Sequence, residues 1–324
     1  MRHVAVTAHR EAGVIQVPDL TQPLRDDQVR GPTLVSLISP GTELNHAFLA
    51  KDIFPRTVGY ASVFRVEEVG SAVTDIPVGA VVLTTFGGHR EFQDAERKSL
   101  IPLPGGLPPE KAVFARLAGV SMSTLDTTAA RPPARVLVTG LGPVGNLAAQ
   151  IFASCGYQVT AVDPVESRRA SALKVGLTDV RASIAKGPVD LTDKVQLHIE
   201  CSSHEKAVLD GAATIRKGGE LVLVGVPWRR NTDHSAFDLL HVIFHRYVTV
   251  RSGWEWEVPI HPTDFQGNSL MENWAASVQW IASGKLNVDG MATSFAPEEA
   301  QKAYTALLDQ TLPTPAALFD WRKR

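Results

Sequence analysis

The feature that most constrains this chain lies near its middle. The run Gly140-Leu141-Gly142-Pro143-Val144-Gly145 directly follows a short apolar segment, Arg135–Thr139. It directly opens a stretch in which Val144, Leu147, Ala148, Ile151, Phe152 and Cys155 recur at helical spacing. The apolar segment reads as a parallel strand buried on both faces, and Gly156 ends the helix. A strand, a glycine-rich turn and a helix in this order form a loop whose backbone can approach a phosphate. Gly140 permits the tight turn, Gly142 clears room for a pyrophosphate, and Gly145 lets the helix close on the sheet. The helix start, at Pro143 and Val144, directs unpaired N–H groups and a partial positive charge at the anion. Ordinary turn glycines are the alternative reading of the spacing alone.

The second half of the fingerprint is present too. Asp163 closes a second strand, Gln158–Val162, at about the 20-residue distance where an acid binds the adenine ribose hydroxyls. Its carboxylate would repel a 2′-phosphate, so NAD(H) is expected over NADP(H). Arg168 and Arg169, just behind it, pull the other way. Further strands are expected at residues 195–199, 220–224 and 248–251, and helices at 164–175, 205–215 and 237–245. Cys201 and Gly225, each just past one of these strands, complete the cofactor-binding candidates. Alternation of this kind builds a doubly wound parallel α/β sheet.

The rest of the chain has another texture. Residues 1 to about 115 contain short β-like runs broken by Gly and Pro, and little that reads as helix. Helices are expected at 268–284 and 297–309, and a strand-like tail at 316–321 suggests a return to the first domain. At 324 residues and 44% hydrophobic, the chain can build two cores. A 20% charged composition excludes a disordered, solvating chain, and a net charge of −2 gives no electrostatic reason to expect nucleic acid or an anionic membrane as partner. Apolar runs are too short to span a bilayer, and the first residues run straight into a strand pattern, so a soluble cytoplasmic protein is expected. Two cysteines exclude a disulfide framework and a four-cysteine zinc site.

The order of these parts resembles the medium-chain dehydrogenase/reductase (alcohol dehydrogenase-like) superfamily, over nearly the whole chain. The resemblance is carried by the mid-chain fingerprint, by Gly59-Tyr60-Ala61-Ser62-Val63 with Val66–Val73 behind it, by Pro77-Val78-Gly79-Ala80-Val81-Val82, and by Gly87-Gly88-His89-Arg90-Glu91-Phe92. It implies a GroES-like, mostly β catalytic domain from residues 1–115 and 290–324, with a Rossmann NAD-binding domain at 116–289 and a cleft between them. Zinc-dependent members carry a Cys, a Gly-His-Glu triplet and a later Cys or acid. Here those positions read Pro40, Gly59-Tyr60-Ala61 and Ala115-Arg116-Leu117-Ala118-Gly119. Pro ligates no metal and Tyr rarely binds zinc, so no metal is expected. The Ser39-Pro40-Gly41-Thr42-Glu43 segment, the Gly-Tyr pair and the Phe319-Asp320-Trp321 ending resemble a zinc-less branch that includes bacteriochlorophyllide a dehydrogenase, to which the similarity is loose.

Without zinc, a hydrogen-bond donor must stabilise the substrate alkoxide and a base must take its proton. The resemblance places Thr42 at the family's Ser/Thr, with a helix N-cap as the alternative, and Glu43 at its Asp, with a surface or capping acid as the alternative. His46, with Asn45, falls near the family's proton-relay histidine, against an exposed helix histidine. Tyr60 stands where a zinc-ligating histidine would be, against an aromatic wall. His89 and Glu91 read as structural, His241 and His245 as packing, and Trp228, Trp254 and Trp256 as an aromatic wall or as core or dimer-interface packing. The expected activity is a zinc-independent, NAD-dependent interconversion of a secondary alcohol and a ketone on a sugar, cyclitol or other ring-bearing metabolite, in a homodimer paired near residues 248–252. The alternatives are an NADPH-dependent quinone or enoyl reductase and a non-catalytic NAD(P)H-binding protein.

Overall fold

The structure is a computed structural model and describes residues 1–19, 22–185 and 187–323. The chain divides into two units. Unit 1 comprises Met1–Arg116, Trp274–Ser283 and Gly290–Arg324, and unit 2 comprises Leu117–Asn273 and Gly284–Asp289. Residues 274–283, which the sequence reading assigned to the second domain, group with the first.

In unit 2, six parallel strands pair in the order Val180–Arg181, Gln158–Val162, Arg135–Thr139, Val195–Glu200, Ile215–Leu223, Thr249–Ser252. Numbered within the unit, that order is 3-2-1-4-5-6, the doubly wound arrangement, and it reverses between Arg135–Thr139 and Val195–Glu200. Val136, Leu137 and Val138 are fully buried, as a strand covered on both faces requires. The helix after the first strand runs Pro143–Ser154, with Pro at its first position, and Gly156 follows its C-cap in a left-handed conformation. The later helices, Glu166–Lys174, Glu205–Ala212 and Ala236–Arg246, match expectation within a few residues. The exception is Ile215, which begins a strand rather than ending a helix.

In unit 1, an eight-stranded sheet is built around the long strand Gln28–Leu37. The tail strand Ala316–Asp320 pairs antiparallel with it, Leu318 opposite Leu37, so the C-terminal segment does complete the first unit's sheet. Val4, Phe48, Tyr304, Phe319 and Trp321 share one core. Helical segments also lie where the sequence reading assigned none or offered one only as an alternative. The chain turns helical at Pro40–Glu43 and continues as a wider π-type turn through Phe48, burying Leu44, Ala47 and Phe48. The helix Ala115–Thr127 mixes apolar and polar residues yet is buried along most of its length, so its sequence shows no clean apolar face.

His198 sits in the middle of the unit 2 sheet, fully buried, its Nε2 2.8 Å from the Thr139 hydroxyl. A Cβ on Gly211 would lie 2.0 Å from its ring, so the helix Glu205–Ala212 presses directly on it. Burial lowers its pKa from 6.5 to about 3. Between those values the unfolded chain binds a proton there and the folded chain does not. Stability should therefore fall as the pH drops through that window, by up to a few kcal/mol from this residue. Denaturant titrations from neutral to acid pH check this, and His198→Gln should flatten the dependence.

Candidate functional site

The phosphate-loop glycines occupy the carboxyl edge of the parallel sheet, at the point where the strand order reverses. Gly140 has φ +84°, and a Cβ there would lie 2.7 Å from the Ser202 amide nitrogen. A Cβ on Gly145 would lie 1.8 Å from the Gly140 carbonyl oxygen, so only glycine lets the helix come this close. Gly142 differs from both. Its φ is −60°, and a Cβ would meet nothing within 4 Å. Nothing within the described chain therefore demands glycine there, whereas a ligand lying on the backbone would. Gly142 is the N-cap of the helix, with no side-chain cap, and Pro143 is its first residue. The first-turn amides of Val144 and Gly145 have no acceptor within the helix. Together these features suit a pyrophosphate.

Asp163 is 1% exposed. Its Oδ2 accepts the Leu141 amide at 2.7 Å and its Oδ1 the Val165 amide at 2.8 Å, so the carboxylate ties the second strand to the glycine loop. Arg168 Nη1 lies 3.5 Å from Oδ2, and Arg169 donates to the carbonyls of Asp163 and Pro164. Cys201 ends the fourth strand beside Gly140 and Gly145, and its amide donates to the Thr139 carbonyl. Burial, with Glu200 alongside, pushes its thiol well up, so it remains a thiol at neutral pH. Gly225 follows the fifth strand, where a Cβ would lie 2.5 Å from the Ser203 amide nitrogen. Glu200, buried and pushed up by burial, accepts from the Ser202 amide and hydroxyl and from the Ser203 amide. The cofactor-binding candidates thus share one edge of one sheet.

The catalytic candidates lie in unit 1 and fall into two layers. Tyr60 donates from its hydroxyl to Ser39 Oγ at 2.6 Å, and the Thr42 hydroxyl is its second polar neighbour. Arg116, on the first turn of Ala115–Thr127, stacks over the Tyr60 ring at 4.7 Å. Burial raises the Tyr60 pKa and Glu43 adds to that, while Arg116 and the Ser39 and Thr42 hydroxyls pull it down; the balance lies above the usual phenol value. Behind this layer, Glu43 is 3% exposed, which excludes the surface acid offered as an alternative, while the capping acid offered beside it agrees with its bond to the N-cap residue Ser39. Its Oε1 accepts the Ser39 amide at 2.7 Å. Its Oε2 accepts Tyr304 Oη at 2.5 Å and lies 3.0 Å from His89 Nε2. The far side of His89 meets Ser36 Oγ at 2.8 Å, which also accepts from the Trp321 indole.

Thr42 and Tyr60 are therefore brought together, with Glu43 one bond further in. The helix N-cap is Ser39, not Thr42. His46 is exposed on the same helical segment, and its carbonyl is held by Arg56. Glu91 pairs with Arg2 at 2.9 Å. His241 and His245 stack on each other at the surface, 4.1 Å between ring centroids, and do not pack in a core. Trp254 is 68% exposed, and Trp228 and Trp256 are each 41% exposed, which rules out core packing for all three. Ser39, Arg116 and Tyr304 were not singled out by the sequence reading. Ser39 and Arg116 lie inside the segments aligned with zinc-ligand positions, while nothing local marks Tyr304.

Residues 143–264 match the zinc-binding dehydrogenase family. The L-threonine 3-dehydrogenase of Pyrococcus furiosus is 26% identical over 278 residues, 74% of this chain and 74% of that protein. Galactitol-1-phosphate dehydrogenase from Escherichia coli superposes with a TM-score of 0.82 at 19% identity, covering 99% of this chain and all of that one. Escherichia coli quinone oxidoreductase, solved with NADPH, superposes at 0.78 with 17% identity, over 99% of this chain and all of that one. These structural likenesses are likenesses of fold, and the fold is the GroES-like plus Rossmann architecture of medium-chain dehydrogenases.

The glycine geometry makes a paired prediction. Gly142→Ala should leave the thermal midpoint nearly unchanged and weaken NADH binding about tenfold or more, because its methyl occupies only the ligand's space. Gly145→Ala should destabilise the protein by about 1–3 kcal/mol, because its methyl meets backbone. Calorimetry of unfolding and of NADH binding on both variants separates the two effects.

Proposed function

We propose that this chain is an NAD-dependent oxidoreductase that interconverts a secondary alcohol and a ketone without zinc. The carrying observation is the hydroxyl cluster of Tyr60, Ser39 and Thr42 beneath Arg116. Three lines support the cofactor. The space at Gly142 fits a pyrophosphate, Asp163 fits the ribose position, and both lie at the switch point of a doubly wound sheet. A bound nicotinamide would supply the hydride chemistry. The chain's own residues must then hold the substrate oxygen and manage one proton.

The family match raises the question of zinc, and the residues do not fit it. Pro40 and Tyr60 occupy two of the aligned ligand positions, and the groups gathered there are hydroxyls rather than thiolates or imidazoles. Among the described residues no group of three or more His, Cys, Asp and Glu is arranged to hold a metal ion. Glu43 and His89 do meet, but they are bonded to each other and, through Glu43, to Tyr304.

In this reading Tyr60 is the acid. Its raised pKa keeps the phenol protonated at neutral pH, so it can donate to a carbonyl oxygen. Thr42 offers a second hydrogen bond to the same oxygen, and Ser39 orients the phenol. The exposed Trp254, beyond the end of the last strand at the sheet's carboxyl edge, favours a ring-bearing substrate such as a sugar or cyclitol. The open edge of Thr249–Ser252 is where a second copy would pair. A second reading, an NADPH-dependent reductase, is favoured by one observation. The partly exposed Arg168 guanidinium stands 3.5 Å from Asp163, within reach of a 2′-phosphate.

Tyr60→Phe and Thr42→Val should each lower the turnover number and the specificity constant together, by about 10²–10³, with NADH affinity retained. Steady-state kinetics on a panel of secondary alcohols and ketones, with NADH and NADPH side by side and with a chelator present, tests all parts at once. Near-normal turnover in both variants would remove the hydroxyl cluster from the chemistry. A preference for NADPH would select the second reading.

A further inference from the structure

Arg116 is not needed to describe the hydroxyl cluster, yet the structure fixes it there with unusual care. Its guanidinium carbon lies 4.7 Å from the centroid of the Tyr60 ring and 4.6 Å from that of Trp274. The cation is therefore stacked against two aromatic rings. Its Nε donates to the Thr85 carbonyl at 3.0 Å, which sets the rotation of the guanidinium plane. Trp274 is itself fully buried and is braced by Phe86, edge-on at 5.9 Å. Arg116 is only 3% exposed. A guanidinium keeps its charge under any condition in which the protein folds. Screening by water is weaker at a buried site than at the surface, so that charge acts more strongly on groups a few ångströms away.

The group closest to its face is the Tyr60 phenol. Two charged groups bear on that phenol: Arg116 from Ala115–Thr127, and Glu43 from Pro40–Glu43. Glu43 lies on the inner side and is engaged by Ser39, His89 and Tyr304. It opposes ionisation of Tyr60, whereas Arg116 favours it. The hydroxyl itself points to Ser39 Oγ.

We propose that Arg116 is a positioning residue for the reaction, whose permanent cation holds the Tyr60 ring in place and makes its hydroxyl a stronger proton donor to the substrate oxygen. The proposal rests on the reading of Tyr60 as the acid. In the reducing direction a bound reduced nicotinamide would supply the hydride, one of its own C–H bonds breaking as the carbonyl carbon gains one. The carbonyl π pair moves to oxygen, the Tyr60 O–H bond breaks and the alcohol O–H bond forms. The phenolate left behind is balanced by Arg116 until a proton returns from solvent by way of the Ser39 hydroxyl. In the oxidising direction the same phenolate takes the alcohol proton. A fixed organic cation thereby lowers the energy of the charged oxygen that a zinc ion would otherwise stabilise.

The test reads Tyr60 directly. The chain has four tyrosines, so the ultraviolet phenolate titration of the protein minus that of Tyr60→Phe isolates this one. In the Arg116→Gln background the Tyr60 titration should move alkaline by about one pH unit or more. Arg116→Lys, which keeps the charge but cannot stack in the same way, should stay within a few tenths. If Arg116→Gln fails to fold, Arg116→Met supplies a second neutral variant. Turnover of a ketone should fall about tenfold in the neutral variants, with the alkaline limb of the pH profile displaced in step with the titration, and recover in Arg116→Lys. An unmoved Tyr60 titration in a folded neutral variant overturns the proposal, even if Tyr60→Phe abolishes turnover. So does a titration displaced as far in Arg116→Lys as in Arg116→Gln. If the titration moves as expected but Tyr60→Phe turns over normally, the identification of Tyr60 as the acid is what fails.

Discussion

Much of unit 1 hangs on one buried carboxylate. Glu43 bonds the Ser39 amide, Tyr304 and His89 from three different directions. Ser39 is the start of the helical turn that carries Thr42, His89 belongs to the segment behind Gly59, and Tyr304 lies on a helix near the C-terminus. Each of these groups is buried and would be costly to leave unpaired, by about 1–3 kcal/mol apiece. A single side chain therefore pins the Thr42 turn to two distant parts of the chain. Through Ser36 the same network reaches Trp321. Burial and the nearby Glu43 hold the Tyr304 phenol well above its ordinary pKa, so it serves as a donor at every relevant pH and never as a base. This explains how a loop of nine residues without strands can hold two hydroxyls at fixed positions.

Unit 2 uses the same device in miniature. Asp163 is buried, and it accepts the amides of Leu141 and Val165. The first bond crosses from the second strand to the glycine loop, so the residue proposed for the ribose also shapes the phosphate turn. Substituting it would disturb both at once. Cofactor preference is better judged by also changing Arg168, which approaches the carboxylate without holding any backbone that the loop needs.

How far the sequence could be read depends on whether the cause of a position is local. Gly140 and Gly145 were legible because the clash that requires them comes from their own strand–turn–helix unit and the adjoining strand end. Five of the six parallel strands were legible because their apolar runs are short, regular and punctuated, whereas Val180–Arg181 is only two residues long and was missed. Tyr60 was legible only through the alignment with a zinc-ligand position, and Thr42 only through the family's Ser/Thr position. The burial of Glu43 was not legible, because its partners sit 46 and 261 positions away. Arg116 was passed over for a related reason. An arginine at the start of a helix reads as solvated, and nothing local hints that Trp274 closes over it from far along the chain.

The physical contrast between a zinc site and this cluster lies in where the positive charge comes from. A metal ion brings its charge with it and must be held by anionic or imidazole ligands, each of which needs its own support. Here the charge is covalently part of the chain, and what it needs is shelter from water. Two aromatic faces supply that shelter without neutralising the cation, because the ring quadrupole attracts it while carrying no net charge. The acidity of the phenol is then set by the balance of Arg116 and the neighbouring hydroxyls on one side against burial and Glu43 on the other. A site built this way cannot polarise a carbonyl as strongly as a metal in direct contact, since the cation acts through an intervening ring. On the proposed reading such a site would need no metal, and its proton chemistry would be adjustable by substitutions at Arg116 that leave the glycine loop untouched.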